Sequence, residues 1–498
     1  MMTNQRDILL AAADLGATSG RVMAGRLTEG RLTLDEVRRF PTSTLTKNEH
    51  LHWDVESLRN HIVAGFRQIA GAGELASVGV DTWGVDYGRL TRSGELIEEP
   101  FNYRDQRTAH VPAAFFAEHS AAGLYAEAGL QVMDFNTIFQ YIASAEDPRW
   151  ADVDSCLFLP DLFEYWLSGE RHAELTIAST SGLLNVTRRD WSATTLAHLR
   201  ERYHLDLASH LPAIVEPGTV VGVVRPSVLD SDAEVSVVAV GSHDTASAVA
   251  AIPASGRFGY ISSGTWSLVG LELDHPILTE ESRLADFTNE LGVDGTVRYL
   301  RNVMGLWCLT ESQRHWSATG RPTDLTTLLA DAAALPALRA VVDMENPRLL
   351  PPGDMPARLA QLAAQSDQPA PTTPAEITRC VLDSLALDYR RVIRRAQRLA
   401  GVSIDAIHVV GGGCRNRLLN QLTADATGLP VVAGPAEATA MGNLLVQAQA
   451  IGALPQGMAA LRQVSRESCE LTTFLPGGLG LSEEDWRRAE RRLWPTDV

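Results

Sequence analysis

The chain has 498 residues, of which 45% are hydrophobic and 21% charged, and its formal net charge at pH 7 is −18. The length predicts two domains of about 200–250 residues each, and the acidic balance argues against a nucleic-acid partner. No apolar run approaches the ~20 residues of a membrane helix. We therefore expect no membrane partner. The five cysteines contain no CxxC pair, so we expect reduced thiols and a cytoplasmic location.

An apolar run at residues 8–13 ends in Asp14 and continues as LGATSGR at 15–21. This pattern predicts a strand, a tight turn and a second strand. The second strand begins a hairpin over residues 21–40. We expect the turn glycines to permit positive φ and the free N–H groups to bind an anion. A carboxylate beside a phosphate repels it unless a metal ion lies between them. The segment therefore predicts a site for metal-bound phosphate, most simply a Mg-nucleotide.

The chain lacks the lysine motifs of other nucleotide sites. Lys47 is the only lysine among 43 basic residues, and no GxxxxGK[ST] segment occurs. A P-loop and a protein kinase each require their lysine, and the glycines after Asp14 lack the dinucleotide-binding spacing. Backbone, hydroxyl groups, metal and arginine must therefore hold the phosphates.

The rest of the first half alternates helix and strand patterns. We predict a helix at 55–70, a buried strand at 77–81, a largely helical stretch at 112–203 and a strand at 235–240. The first of these two strands is followed by TWGVDY and the second by GSHDT at 241–245. Ligands bind at the carboxyl ends of such strands, so Asp244 is a candidate proton acceptor for a substrate hydroxyl. The alternative is an ordinary helix N-cap at this point.

The second half begins near residue 248. A strand at 258–262 runs into SSGTW, which reads either as a second phosphate turn or as a plain hairpin. Residues 346–374 predict a loop with a short helix, and 375–399 predict a long amphipathic helix that ends at a C-cap glycine, Gly401. A strand at 406–410 precedes Gly411-Gly412-Gly413, where we expect adenosine to approach the backbone. Alternating strands and helices in both halves indicate an α/β fold.

Seven segments taken together resemble the FGGY carbohydrate kinases, and they span nearly the entire chain. They are DLGATSGR at 14, DTWGVD at 81, SHDTASAV at 242, SSGTWSL at 262, NVMGLW at 302, VGGGCRN at 410 and GPAEATAMGN at 434. The resemblance implies two ribonuclease-H-like domains of the actin/Hsp70/sugar-kinase superfamily with an ATP cleft between them. It assigns residues 1–247 to the N-terminal domain, which binds sugar and phosphate, and 248–498 to the C-terminal, nucleotide-binding domain.

The same resemblance implies transfer of the γ-phosphoryl group of Mg-ATP to O1 of L-rhamnulose. Asp244 would be the proton acceptor, and Asp14 would organise Mg²⁺. The implied ATP contacts are Ala17, Thr18, Ser19, Gly20, Arg21, Thr265, Thr310 and Gly412. The implied sugar contacts are Gly84, His243, Asp244, Thr245 and Asn302. Thr310 departs from the family pattern, in which we expect glutamine.

Three alternatives remain open from the residues. A related kinase would act on L-fuculose, L-xylulose or L-ribulose. A nucleotide-driven switch or scaffold of the actin or chaperone type would need no sugar-hydroxyl base. A metal hydrolase would need a dense ligand set, and His50-Leu51-His52 is a poor zinc pair. We expect a monomer or a weak homo-oligomer.

Overall fold

The computed structural model describes residues 7–495, and the chain forms two compact units. The first unit comprises Met1–Pro253, Leu273–Tyr299 and Ala438–Cys469. The second comprises Ala254–Glu272, Leu300–Glu437 and Glu470–Val498. Each unit is therefore built from segments that are distant in sequence. Within residues 7–495, no helix has both the length and the apolar character needed to cross a bilayer.

Twenty-one strands are numbered in chain order. They are β1 (Ile8–Leu15), β2 (Ser19–Thr28), β3 (Arg31–Pro41), β4 (Thr44–Lys47), β5 (His50–Trp53), β6 (Leu75–Thr82), β7 (Tyr87–Leu90), β8 (Ser155–Phe158), β9 (Ala173–Glu174), β10 (Leu184–Asn185), β11 (Asp190–Trp191), β12 (Ile214–Val215), β13 (Thr219–Val223), β14 (Ser236–Ala239), β15 (Phe258–Ser263), β16 (Trp266–Leu273), β17 (Thr288–Leu291), β18 (Val297–Met304), β19 (Ala406–Val410), β20 (Val431–Ala433) and β21 (Thr472–Phe474).

Eighteen α-helices are numbered in the same way. They are α1 (Val55–Ala70), α2 (Val111–Phe116), α3 (Ala121–Ala128), α4 (Thr137–Ala143), α5 (Leu159–Ser168), α6 (Leu175–Ala178), α7 (Ala193–Tyr203), α8 (Pro226–Leu229), α9 (Asp244–Ala250), α10 (Glu280–Leu284), α11 (Trp307–Ala318), α12 (Leu325–Ala333), α13 (Met355–Gln365), α14 (Pro374–Ala400), α15 (Arg417–Thr427), α16 (Ala438–Ala450), α17 (Met458–Ser468) and α18 (Glu483–Leu493).

A six-stranded sheet in the order β13-β14-β6-β1-β2-β3 organises the first unit. Strand β1 is antiparallel to β2 but parallel to β6, and β6 is parallel to β14. The carboxyl ends of β1, β6 and β14 therefore meet at one edge. Helix α1 begins where the Asp54 side chain accepts a hydrogen bond from the backbone N–H of Ser57, and its apolar face joins the sheet core.

Helix α16 also packs on this sheet, although it lies almost 360 residues after β6. Gln447 donates to the carbonyl of Ala11 on β1 at 3.0 Å and accepts from Ser77 on β6 at 2.8 Å. A Cβ on Gly442 would lie 1.8 Å from the carbonyl oxygen of Ser247 on α9, so glycine lets the two helices pack closely. Helix α16 thus supports both the sheet and α9.

The second unit contains the same local arrangement of strands. Strands β15 and β16 form an antiparallel hairpin, β15 is parallel to β19, and β19 is parallel to β20. Helix α14 starts with a reciprocal capping box between Thr373 and Glu376, and Gly401 ends it with φ of 66°. Both its amphipathic pattern and its glycine cap were predicted from the sequence and are confirmed.

Most predicted elements are confirmed, but the largely helical stretch at 112–203 is only partly correct. Strand β8 interrupts it and pairs antiparallel with β7. All four residues of β8 are buried, and a short buried apolar run has no periodicity that separates strand from helix.

Candidate active site

Three carboxylates of the first unit lie at the shared carboxyl edge of its parallel strands. Asp14 on β1 is the register partner of Asp81 on β6. The next residue, Thr82, donates its backbone N–H to the carbonyl of Ser242 at 2.9 Å and forms an isolated parallel bridge with His243. This pairing extends β6 into the 241–245 loop, so Asp244 is also brought to the edge.

Asp14 is buried at 5% exposure and already has a cationic partner. Nη2 of Arg21, its register partner on β2, lies 2.5 Å from Oδ2 of Asp14. Sequence reasoning assigned Asp14 to a metal and Arg21 to a phosphate as separate groups. The structure pairs them, so the carboxylate and the guanidinium are already positioned side by side at the edge.

Asp81 was part of a quoted motif, but sequence reasoning gave it no role. It is fully buried, and its Oδ2 accepts a 2.6 Å hydrogen bond from Asn443 on α16. Burial raises the pKa of Asp81 well above its usual range, and the nearby carboxylates of Asp14 and Asp244 raise it further. Its Oδ1 atom has no hydrogen-bond partner among the described residues.

The turn between β1 and β2 is closed by a 3.1 Å hydrogen bond from the N–H of Gly16 to the carbonyl of Ser19. Thr42 reinforces it, donating its hydroxyl to the Gly16 carbonyl at 2.7 Å and its N–H to the Thr18 carbonyl at 3.1 Å. Thr18 is exposed, Ala17 and Ser19 are half-buried, and Gly20 is buried.

The expectation of positive φ at Gly16 and Gly20 is wrong, because neither glycine has a left-handed backbone. Gly20 serves close packing instead. A Cβ there would lie 2.4 Å from the ring of Phe40 and 2.8 Å from the side chain of Leu15. Absence of a side chain, rather than backbone freedom, explains this glycine.

Asp244 is the first residue of α9, and its side chain is 31% exposed. The N-cap residue is His243, which makes no side-chain capping bond, so the N-cap alternative for this segment is wrong. Oδ1 of Asp244 accepts from the buried Thr245 hydroxyl at 3.0 Å and lies 3.4 Å from Nε2 of His243. The carboxylate therefore remains accessible at the edge.

A buried carboxylate, Glu174, holds the main chain of this loop, and sequence reasoning missed it. It accepts from the N–H groups of Thr176, Ile177 and Ser242 at 2.9–3.2 Å and from the Thr176 hydroxyl at 2.6 Å. The Thr176 hydroxyl in turn accepts from the N–H of His243 at 3.2 Å. Burial raises the pKa of Glu174 to about 7 despite these donors.

The loop that follows β6 is held around another buried carboxylate, Asp86. It accepts from the indole N–H groups of Trp53 at 2.6 Å and Trp83 at 2.9 Å, and from Gln140 at 2.9 Å. Val85 has φ of 72°, a strained conformation for a β-branched residue that this network maintains. The network therefore fixes the loop tightly.

Gly84 in this loop has limited space. A Cβ on Gly84 would lie 3.2–3.3 Å from three atoms of the Thr180 side chain. The rings of Trp83 and Tyr87 are buried, and Tyr87 stacks on Tyr141 with 4.1 Å between the ring centroids. Both rings therefore have partners inside the first unit.

The predicted nucleotide residues in the second unit lie around the β15–β16 turn and the start of α11. Thr265 is exposed at the turn, and its carbonyl accepts from the N–H of Trp307 at 3.1 Å. Thr310 is exposed in the first turn of α11, which begins at Trp307. Asn302 is half-buried on β18, in the same unit.

The three consecutive glycines after β19 have different environments. Gly411 has φ of 78°, and a Cβ on Gly413 would lie 2.0 Å from Oγ of Ser263, so a side chain is disfavoured at both positions. Gly412 is exposed, and a Cβ there would meet no atom within 4 Å. Only the middle glycine is thus left for a ligand to approach.

Known protein families match both halves of the chain. Residues 9–251 match the N-terminal domain of the FGGY family of carbohydrate kinases, and residues 259–451 match its C-terminal domain. The chain belongs to the FGGY family of carbohydrate kinases. It is 40% identical over 473 residues to a rhamnulokinase of Bacteroides thetaiotaomicron, an alignment that covers 93% of this chain and 95% of that protein.

Solved structures of a xylulose kinase and a glycerol kinase share the fold at low sequence identity. A ligand-bound xylulose kinase of Lactobacillus acidophilus matches with a TM-score of 0.78 at 15% identity, covering 97% of this chain and 96% of its own. Glycerol kinase of Plasmodium falciparum with ADP matches with a TM-score of 0.77 at 12% identity, covering 98% of each chain. The predicted two-domain α/β fold of the FGGY sugar kinases is confirmed.

Proposed function

We propose that this chain phosphorylates L-rhamnulose at O1 with ATP, giving L-rhamnulose 1-phosphate and ADP, as a step of L-rhamnose catabolism. The observation that carries the proposal is the 40% identity to a rhamnulokinase over 93% of the chain. The carboxylate edge of the first unit supports it, since it places an accessible acid beside two buried ones.

Asp244 is proposed as the proton acceptor for the sugar hydroxyl. It is the most exposed of the three edge carboxylates, and Thr245 and His243 fix its position. Phosphoryl transfer requires mainly alignment and charge neutralisation, and a positioned base contributes typically about 10²–10⁴-fold. Gly84, His243, Thr245 and Asn302 are proposed as the other sugar contacts.

The donor set fits Mg²⁺. Asp14 supplies carboxylate oxygen, the ligand type that Mg²⁺ prefers, and the buried Oδ1 of Asp81 beside it lacks a hydrogen-bond partner among the described residues. Asp14 is proposed to hold the ion, directly or through water, and the bound ion would neutralise phosphate charge. Arg21 is proposed to exchange its bond to Asp14 for a phosphate oxygen.

The turn residues Ala17 to Arg21 in the first unit, and Thr265, Thr310 and Gly412 in the second, are proposed to contact ATP. Thr18, Thr265, Thr310 and Gly412 are exposed, which supports this assignment. Residues 1–247 would then contribute the phosphate contacts and the sugar contacts other than Asn302, and residues 248–498 the nucleotide contacts.

Coupled ADP release tests the proposal with L-rhamnulose, L-fuculose, L-xylulose and L-ribulose as separate substrates and with buffer alone. We expect kcat/KM for L-rhamnulose to exceed that of each other ketose by at least about ten-fold, with phosphorus NMR showing a phosphate ester at O1. A faster reaction with another ketose would assign the chain to that sugar. Equal ADP release without sugar would instead support a nucleotide-driven switch.

A further inference from the structure

Both the backbone and the ring of His243 contact other groups of the first unit. Its backbone N–H donates to the Thr176 hydroxyl, while its ring lies between Asp244 and a buried ion pair formed by Glu290 and Arg298. The His243 side chain is only 10% exposed, Glu290 8%, and Arg298 is fully buried. The ring nitrogens therefore face defined partners rather than solvent.

The two ring nitrogens have different neighbours. Nη2 of Arg298 lies 3.1 Å from Nδ1 of His243 in hydrogen-bond geometry. A guanidinium only donates hydrogen bonds, so Nδ1 must be the acceptor and carry no proton. Oε2 of Glu290 also lies 3.2 Å from Nδ1, but it forms no aligned hydrogen bond.

Glu290 and the Leu291 carbonyl fix Arg298 in place. Nη1 of Arg298 lies 3.0 Å from Oε2 of Glu290, and its Nε and Nη2 each lie 3.2 Å from the Leu291 carbonyl. Burial acts to raise the pKa of Glu290 and the adjacent Arg298 charge acts to lower it, and this pKa lies below its usual value. The pair is thus ionised and electrically balanced.

We propose that Arg298, held by Glu290, is a positioning residue that fixes His243 as the neutral tautomer with its proton on Nε2. Nε2 lies 3.4 Å from Oδ1 of Asp244, so this N–H is on the side of the ring that faces Asp244. It donates to an oxygen of the sugar and so helps to select which hydroxyl Asp244 can deprotonate. The sugar part of this inference rests on the proposed function, whereas the tautomer does not.

The tautomer is measured by nitrogen NMR of histidine-labelled protein, with the His243 signals assigned by their loss in His243→Asn. We expect a protonated Nε2 and an unprotonated Nδ1 in the wild type without any ligand. A proton on Nδ1 would overturn the inference, whatever the enzyme's substrate proves to be.

The variant that tests the role removes the ion pair as a unit, because loss of one partner would leave a buried charge unpaired. In Glu290→Gln with Arg298→Met, we expect the sugar KM to rise about ten-fold while the ATP KM stays within two-fold. We also expect the nitrogen NMR signals of His243 to show that its proton is no longer confined to Nε2. Arg298→Lys keeps a charged donor and should largely restore the sugar KM.

The matched control is Glu280→Gln with Arg283→Met, an exposed ion pair in the same 273–299 segment with a separation of 2.6 Å. It should change neither KM. An unchanged sugar KM in the buried-pair variant would contradict the inference. Equal rises of the sugar and ATP KM values would also contradict it, since they indicate general loss of structure.

Failure of the inference and failure of the proposed function give different results. If the wild type phosphorylates no ketose, the proposed function fails, but the NMR result still decides the tautomer. If the wild type phosphorylates L-rhamnulose and the buried-pair variant is unchanged, only the inference fails.

Discussion

Asp14 and Asp81 lie opposite each other on neighbouring parallel strands, and the two carboxyl groups are held differently. Asp14 bonds to the guanidinium of Arg21, whereas Asp81 bonds to the neutral amide of Asn443. Burial and the nearby charges of Asp14 and Asp244 raise the pKa of Asp81, so the neutral form of Asp81 is favoured. Asp14 is the one of the two that is proposed to hold a cation.

Replacement of Asp14 by Asn should raise the Mg²⁺ concentration needed for half-maximal ADP release by at least about ten-fold, because a neutral amide is a weaker ligand for a hard dication than a carboxylate. The measurement is a Mg²⁺ titration at saturating ATP and L-rhamnulose. Asp35→Asn, an exposed change on β3 of the same sheet, is the control. Identical Mg²⁺ curves for Asp14→Asn and wild type would remove Asp14 from the metal site.

Replacement of Asp244 by Ala should lower kcat by about 10²–10⁴-fold, because the proton acceptor is lost. ATP affinity, measured by calorimetry, should stay within two-fold, since the proposed nucleotide contacts are elsewhere. The control is the exposed Asp232→Ala in the same unit. Near-wild-type turnover in Asp244→Ala would show that another group accepts the proton.

The glycines after β19 give a matched pair of substitutions. Gly413→Ala should destabilise the protein by about 1–3 kcal/mol, because the added methyl would overlap the Ser263 side chain. Gly412→Ala should leave the melting temperature unchanged but weaken ATP binding. Equal effects of both changes on stability, with ATP affinity unaltered by Gly412→Ala, would contradict the nucleotide assignment.

The raised pKa of Glu174 predicts a dependence of stability on pH. The folded state binds the proton more tightly than the unfolded chain, since the pKa of Glu174 is raised from 4.5 to about 7. This contribution is fully present below about pH 4.5 and is lost as the pH rises to about 7. Because Gln does not titrate, the free energy of unfolding of wild type relative to Glu174→Gln should fall by about 2 kcal/mol between about pH 5.5 and 7.

Chemical denaturation of both proteins at several pH values measures this difference. Glu170→Gln, an exposed change close in sequence, should show no such trend relative to wild type. A difference that is constant with pH would mean that Glu174 is ionised throughout the range.

Local sequence patterns predicted much of the fold because they act over short distances. The run at 8–13, the amphipathic period of α14 and the glycine at 401 each depend on a few neighbouring residues, and all were correctly interpreted. Strand β8 was missed because four buried residues carry no period. The combined motifs predicted the family, which the domain matches confirm.

The groups that support the candidate site could not be predicted in this way. Asp81 meets Asn443 across 362 positions, and His243 meets Arg298 across 55. No local sequence pattern indicates contacts over such separations. A shifted pKa of a carboxyl group can be recognised only when the burial of that group is known. The same limit applies to Gly20, because a side chain there is excluded by the ring of Phe40, which is not adjacent in sequence.

The contribution of α16 to the first unit has a consequence for biosynthesis. A ribosome makes Asp81 and Asp244 early, but the amide that bonds to Asp81 and the glycine that lets a helix pack on α9 arrive about 200 or more residues later. Until then, a nascent chain holds these acids without the helix that supports them. Catalytic competence should therefore appear only near the end of translation, and a gene fragment ending at residue 253 should encode no working half.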